Sequence, residues 1–239
     1  MRTRSVPRSE SLKHKNENPA RRPVAMVDWS VYLVTEQRAS AGRSTPDVVA
    51  SALDGGVGVV QLRDKALPVR DRLAIGREVR ELTRDAGVPL IVNDRVDLAQ
   101  AIDADGVHLG DDDLPVEVAR EMLGEDAIIG RSASFVEDAI AAEGTGADYL
   151  GVGSVYATDS KDDVPEDEHA VGPERVRAIA DAVSIPVVGI GGITAENAGE
   201  VAAAGADGVA IISAITTADD PRAAAKGLRD AVEGGRNRE

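Results

Sequence analysis

A chain of 239 residues with a net charge of −15 and no cysteine suits one large domain or two small ones, and excludes a disulfide framework, a thiolate nucleophile and a cysteine metal site. An aromatic content of 2% excludes an aromatic platform for single-stranded nucleic acid. No apolar run approaches the roughly 18 residues of a membrane span, and the amino terminus lacks a signal-peptide apolar core, so a cytoplasmic protein with no membrane partner is expected.

Residues 1–25 carry seven cations (Arg2, Arg4, Arg8, Lys13, Lys15, Arg21, Arg22) against Glu10 and Glu17. With three prolines and no hydrophobic periodicity, they read as a disordered basic extension ahead of a second candidate start at Met26. Residues 26–239 then hold 20 basic and 40 acidic side chains. A body that acidic repels nucleic acid and resembles the surfaces of proteins from salt-loving organisms, where screening relieves self-repulsion.

From Trp29 onward, short β-branched runs alternate with helix-compatible stretches. Strands are predicted at 31–35, 57–62, 90–93, 106–109, 127–130, 148–153, 186–190 and 208–212. Helices are predicted at 46–53 after a Ser44/Thr45 cap, then at 69–85, 97–101, 115–123, 136–144, 173–183, 195–204 and 221–232. Eight strand–helix units in one domain, 26–239, match a closed (β/α)8 TIM barrel better than an open sheet. A recurring lead-in supports repeated units: Ala104-Asp105-Gly106, Ala147-Asp148-Tyr149 and Ala206-Asp207-Gly208 each bring a helix into a strand. In such a barrel, binding and catalysis sit at the carboxyl ends of the strands.

The second strand ends in Gln61, Leu62, Arg63, Asp64 and Lys65. Strand alternation aims Gln61, Arg63 and Lys65 to one side, an amide and two cations suited to phosphate or diphosphate; a strand ending at Gln61 with solvated charges is the plainer alternative. The third strand ends in Asn93-Asp94 and the fourth in His108 through Asp113. Carboxylates from two strand ends on one rim suit Mg²⁺. Asp111 and Asp112 read better as caps of the helix near Pro115, and His108 as a packed or hydrogen-bonded core residue. No histidine triad or zinc site is formed by the three histidines.

The fifth strand leads into Arg131, Ser132 and Ser134, and the sixth into a connection from Ser154 to Val171. That connection is far longer than the usual βα loop of about 2–6 residues, so it reads as a lid or binding loop in which hydroxyls and Lys161 hold an anion. Gly191-Gly192 after the seventh strand and the amides around Ile212 and Ser213 after the eighth form the phosphate cradle recurrent in this barrel class. Two anion sites on one rim suit a reaction that joins two phosphorylated molecules.

These ordered motifs, spread over residues 31–225, resemble the thiamine-phosphate synthase family. The resemblance implies transfer of a 4-amino-2-methylpyrimidin-5-ylmethyl group from its diphosphate to the ring nitrogen of a thiazole phosphate, with release of pyrophosphate. It places the pyrimidine diphosphate on Gln61, Leu62, Arg63, Asp64, Lys65, Asn93, Ser132 and Lys161, with Arg63, Lys65 and Lys161 as the catalytic cations. The thiazole phosphate would lie on Thr158, Asp159, Ser160, Gly192, Ile212 and Ser213, and Mg²⁺ on Asp94 and Asp113. The implied route is dissociative, pyrophosphate leaving before the new bond forms, and needs no protein nucleophile. The chain departs from the family at Ser154, where proline is usual, at Ser160, where threonine is common, and at Arg131 and Ser134 around Ser132. A related thiazole tautomerase shares the barrel and often Arg131, but lacks the equivalents of Gln61, Asp94 and Asp113; a non-catalytic binder of thiazole phosphate or thiamine phosphate is the other alternative. Partners are thus phosphorylated small molecules, and barrels of this size are often homo-oligomers.

Overall fold

The computed structural model describes residues 24–158 and 170–237. Eight parallel strands, β1 (Val31–Val34), β2 (Val59–Leu62), β3 (Leu90–Asn93), β4 (Gly106–Leu109), β5 (Ile128–Ala133), β6 (Tyr149–Val152), β7 (Val187–Ile190) and β8 (Gly208–Ile211), pair in chain order. Val31 lies opposite Val209, which closes β8 onto β1. Around them run α1 (Thr45–Asp54), α2 (Val69–Ala86), α3 (Val96–Ile102), α4 (Val116–Leu123), α5 (Val136–Gly144), α6 (Gly172–Ala180), α7 (Ala198–Ala203), a short α8 (Ser213–Thr216) and α9 (Pro221–Arg236). The (β/α)8 barrel expected from the alternation is the observed fold.

Local chemistry explains several boundaries. Ser44 caps α1 by accepting the Asp47 N–H, and Asp220 caps α9 by accepting that of Ala223, each just ahead of a proline in the first turn. Gly87 ends α2 in the left-handed conformation, returning its N–H to the last carbonyls. The expected helix at 173–183 stops at Ala180. Strand β5 runs three residues past the expected end at Gly130, because its upper rungs pair with β6: Ser132 lies opposite Gly151 and Ala133 opposite Val152.

Strand residues divide by parity between two concentric cores. Outward residues such as Leu33, Leu62, Val92, Leu109, Ile129 and Leu150 form the layer between sheet and helices. Such side chains each contribute about 1.5–3 kcal/mol when fully buried. Inward residues, including Tyr32, Val59, Ile91, Ile128, Tyr149 and Val188, fill the barrel with Val27 and Trp29. Glycine makes room for the aromatic rings: a Cβ on Gly130 would collide with the Tyr149 ring.

The recurring lead-in aspartates fasten the floor of the barrel. Asp105 accepts the Leu90 N–H at 2.8 Å, Asp148 the Ile129 N–H at 2.7 Å and Asp207 the Val187 N–H at 2.8 Å, each tying the start of one strand to its predecessor. Arg80 from α2 also pairs with Asp105, and Arg120 from α4 with Asp148. The floor is therefore organised for stability, and the opposite rim is left for chemistry.

Candidate active site

A cavity of about 850 Å³ opens at the carboxyl ends of the strands. Its floor is made by inward side chains of the top rungs, and its wall by the loops that follow. Eleven sequence-predicted site residues line it. Gln61, Arg63, Lys65, Asn93, Asp94 and Asp113 come from the β2–β4 side. Ser132, Thr158, Gly192, Ile212 and Ser213 come from the β5–β8 side. Asp159, Ser160 and Lys161 lie outside the described residues.

Leu62 and Asp64 do not line the cavity. Leu62 is on the outward face of β2, in the layer between sheet and helices; Gly76 of α2 is the small residue above it, where a Cβ would come within 2.8 Å of Leu62 Cδ2. Asp64 has no solvent exposure and holds the Thr35 hydroxyl at 2.7 Å and the Gln37 N–H. The reason expected for the Gln61, Arg63, Lys65 trio is corrected as well. The strand ends at Leu62, and Asp64 turns the chain through a positive φ of 33°. A turn, not strand alternation, delivers Arg63 and Lys65 to the rim.

Lys65 Nζ lies 2.9 Å from Asp94 Oδ2. Asp94 is anchored at the end of β3 by its N–H, which donates to the His108 carbonyl at 2.8 Å. Asp113 accepts the Gly110 N–H at 2.6 Å. Its carboxyl is raised above the usual range by burial and by the facing Asp94 carboxylate, against the lowering pull of the Gly110 N–H and Lys65. Two carboxylates that oppose each other favour a shared cation, and Lys65 already stands against one of them. Arg63 leans 2.8 Å from Glu36, and the buried Asn93 Nδ2 finds no acceptor among the described residues. A donor left unsatisfied at a cavity wall is one that a ligand oxygen or nitrogen would complete.

In the cavity floor two residues not anticipated from the sequence, Tyr32 and Tyr149, join Gln61, His108 and Ser132. Gln61 Nε2 donates to Tyr32 Oη at 2.8 Å, Tyr32 Oη lies 2.8 Å from Tyr149 Oη, Tyr149 Oη 3.0 Å from His108 Nδ1, and His108 Nε2 3.1 Å from Ser132 Oγ. The contacts run unbroken from Gln61 to Ser132, with His108 bonded through both ring nitrogens. Burial pushes the Tyr32 and Tyr149 hydroxyls well above their ordinary pKa, so both stay protonated. His108 is hydrogen-bonded as expected, and it also faces the cavity. A Cβ on Gly151 would come within 2.9 Å of its Cε1.

Three of the departures from the family pattern fall among the described residues, and Ser134 and Ser154 line the cavity. Arg131 and Ser132 sit on β5 with opposite parity, so Ser132 faces inward while Arg131 reaches Asp111 at 2.6 Å and the Leu109 carbonyl at 3.3 Å. Neither aspartate caps α4, which begins at Val116 with Pro115 as its N-cap and no side-chain cap; Asp111 and Asp112 both line the cavity. On the far wall, Gly191 and Gly192 both adopt positive φ, 102° and 64°. A Cβ on Gly191 would come within 2.7 Å of Ser154 Cβ, and one on Gly192 within 2.6 Å of the Ala157 carbonyl. Asn197 fixes this turn by donating to the Gly192 carbonyl and accepting the Thr194 N–H.

A closed parallel barrel with a cationic, carboxylate-bearing rim on one side and a glycine-amide turn on the other defines a phosphate-handling (β/α)8 enzyme. The family model for thiamine monophosphate synthase matches residues 31–215. A thiamine-phosphate synthase from Haloarcula marismortui is 66% identical over 88% of this chain and all of its own length, and one from Natronomonas pharaonis is 64% identical over 87% of this chain and 96% of its own. The solved thiamine phosphate pyrophosphorylase of Pyrococcus furiosus superposes with a TM-score of 0.79 at 43% identity, covering 88% of this chain and 98% of that one. The chain belongs to the thiamine monophosphate synthase family. Among the described residues no helix is long and apolar enough to cross a membrane.

Proposed function

We propose that the chain carries out its family's condensation, pyrimidine diphosphate plus thiazole phosphate to thiamine phosphate and pyrophosphate, by a dissociative route in which charge builds on the leaving group beside β2–β4. The observation that carries this reading is the Lys65, Asp94, Asp113 corner facing the Gly191-Gly192 turn and the start of α8 across one cavity. Arg63, Lys65 and Lys161 are the cations that favour the departing pyrophosphate, and Asn93 Nδ2 is a further donor on that side. The paired Asp94 and Asp113 fit a hard divalent cation that keeps waters or diphosphate oxygens as its other ligands. Bound there, Mg²⁺ would neutralise charge on the diphosphate and favour its departure. Gln61, the buried tyrosines, His108 and Ser132 give the pyrimidine a floor of fixed donors and acceptors.

The thiazole phosphate is held on Thr158, Asp159, Ser160, Gly192, Ile212 and Ser213. Fixing it against the pyrimidine replaces a bimolecular encounter, an effect worth up to about 7–11 kcal/mol in well-oriented systems. The ring nitrogen supplies the electron pair for the new C–N bond, so no protein nucleophile takes part. The substrates are small phosphorylated molecules in a cytoplasmic setting. Purified protein is given both substrates with and without Mg²⁺, and pyrophosphate and thiamine phosphate are measured. Mg²⁺-dependent appearance of both products supports the reading; a folded protein that releases neither, at low or molar salt, turns the assignment toward a tautomerase or a passive binder.

A further inference from the structure

Residues 35–44, between β1 and α1, and Thr45 at the start of α1 contribute no side chain to the cavity lining, yet they join the two loops that flank it. The hub is Gln37. Its side-chain oxygen accepts the Thr45 N–H and hydroxyl, both at 2.9 Å, and its Nε2 donates to Ser40 Oγ at 2.9 Å and the Arg43 carbonyl at 2.7 Å.

One arm leads toward β2. The Gln37 backbone N–H donates to Asp64 Oδ1, the Thr35 hydroxyl donates to Asp64 Oδ2, and the same Thr35 oxygen accepts the Arg63 N–H at 3.1 Å. Asp64 is fully buried at positive φ, and its own carbonyl accepts the Leu67 N–H at 3.0 Å. Its carboxylate thus fixes the turn from which Arg63 and Lys65 reach the rim. The other arm leads toward β8. The Arg43 guanidinium donates to the carbonyls of Thr216 at 3.1 Å, Ala218 at 2.6 Å and Asp219 at 3.1 Å. Those carbonyls close the far end of α8, whose N-cap Ile212 and first residue Ser213 line the cavity. A planar cation spanning three carbonyls fixes position more tightly than a single hydrogen bond does.

We propose that Gln37, with Asp64 and Arg43 as its two arms, is a positioning device that sets both anion-binding loops of the mouth, and that Asp64 acts through the Arg63 and Lys65 turn rather than by contacting substrate. The inference rests on the functional reading above in assigning one substrate to each loop. Its geometric part stands apart from that reading. Hydrogen exchange of the full chain reads the geometry, and steady-state kinetics at saturating Mg²⁺ reads the consequence.

Gln37→Ala is expected to speed amide exchange at least tenfold in both residues 63–67 and 212–218. Arg43→Ala does so only in 212–218, and Thr35→Val, which keeps the shape and removes the shared hydroxyl, only in 63–67. In parallel, Thr35→Val raises KM for the pyrimidine diphosphate about tenfold with the thiazole phosphate KM within twofold of wild type. Arg43→Ala does the reverse, with partial recovery in Arg43→Lys, and Gln37→Ala raises both. Faster exchange confined to 36–45, or equal KM changes in all three variants, overturns the proposal. A wild-type protein that releases no pyrophosphate removes the functional reading and leaves the exchange pattern to decide the brace.

Discussion

At the scale of single residues, the rim is built by side chains whose backbone is as specialised as their chemistry. Asp94 stands at φ 63°, a conformation that asparagine adopts more readily than alanine, so Asp94→Asn removes the charge with the least strain. It is expected to keep the fold and to lose at least about 100-fold in Mg²⁺-dependent turnover, in line with the several kcal/mol a metal contributes to a leaving anion. Wild-type turnover with an ordinary Mg²⁺ dependence would remove Asp94 from the metal site. Gly130 is constrained by the ring it faces. Gly130→Ala would force Tyr149 to move, for about 1–3 kcal/mol in unfolding free energy, and would break the Tyr149–His108 bond. A denaturant midpoint and the pyrimidine diphosphate KM should shift together; a KM that stays put would show that the floor network does not orient that substrate. Asp94 and Lys65 were legible in the sequence because polar residues at strand ends are out of keeping with a buried sheet, and Ser132 only through the family resemblance. Tyr32, Tyr149 and the cavity-facing side of His108 were not, because both faces of a parallel barrel strand are buried, and hydropathy does not tell the inner face from the outer.

At the scale of elements, the recurring Ala-Asp lead-in is a structural device. Each aspartate satisfies an amide in the first two residues of the preceding strand, and Asp105 does so while paired to Arg80, both side chains nearly buried. Removing one member leaves a buried guanidinium without its carboxylate. Asp105→Ala should therefore destabilise the fold by about 3–5 kcal/mol in chemical denaturation while leaving both KM values near wild type, since the floor lies opposite the rim. An unfolding midpoint close to wild type would show that the pair is relaxed by water. Helix and strand order were readable from the alternation of short β-branched runs with capped, amphipathic stretches. The end of β5 was not: Arg131 to Ala133 looks like loop chemistry, and only pairing to β6 makes it strand. The short α8 was anticipated only as a helix start after the eighth strand, because four residues are too few for a periodic signal.

At the scale of the whole molecule, 40 acidic against 20 basic side chains over residues 26–239 leave a surface that repels itself. Screening lengths fall from about 10 Å at 0.1 M to about 3 Å at 1 M salt, so the thermal midpoint should climb between low and molar KCl and not respond in the same way to a neutral osmolyte. A midpoint that is flat in KCl would show that the surface charges are already paired or well solvated. The eightfold alternation, the polar strand ends and the acidic balance were readable along the chain, because each is set by local composition and period. Only the tertiary structure decided which strand residues face the cavity, that Tyr32 meets Tyr149 across 117 residues, that Asp64 is buried beneath the rim rather than on it, and that Arg43 reaches the end of α8. Barrel closure is what brings these partners together, and no local pattern encodes which distant residue will stand opposite.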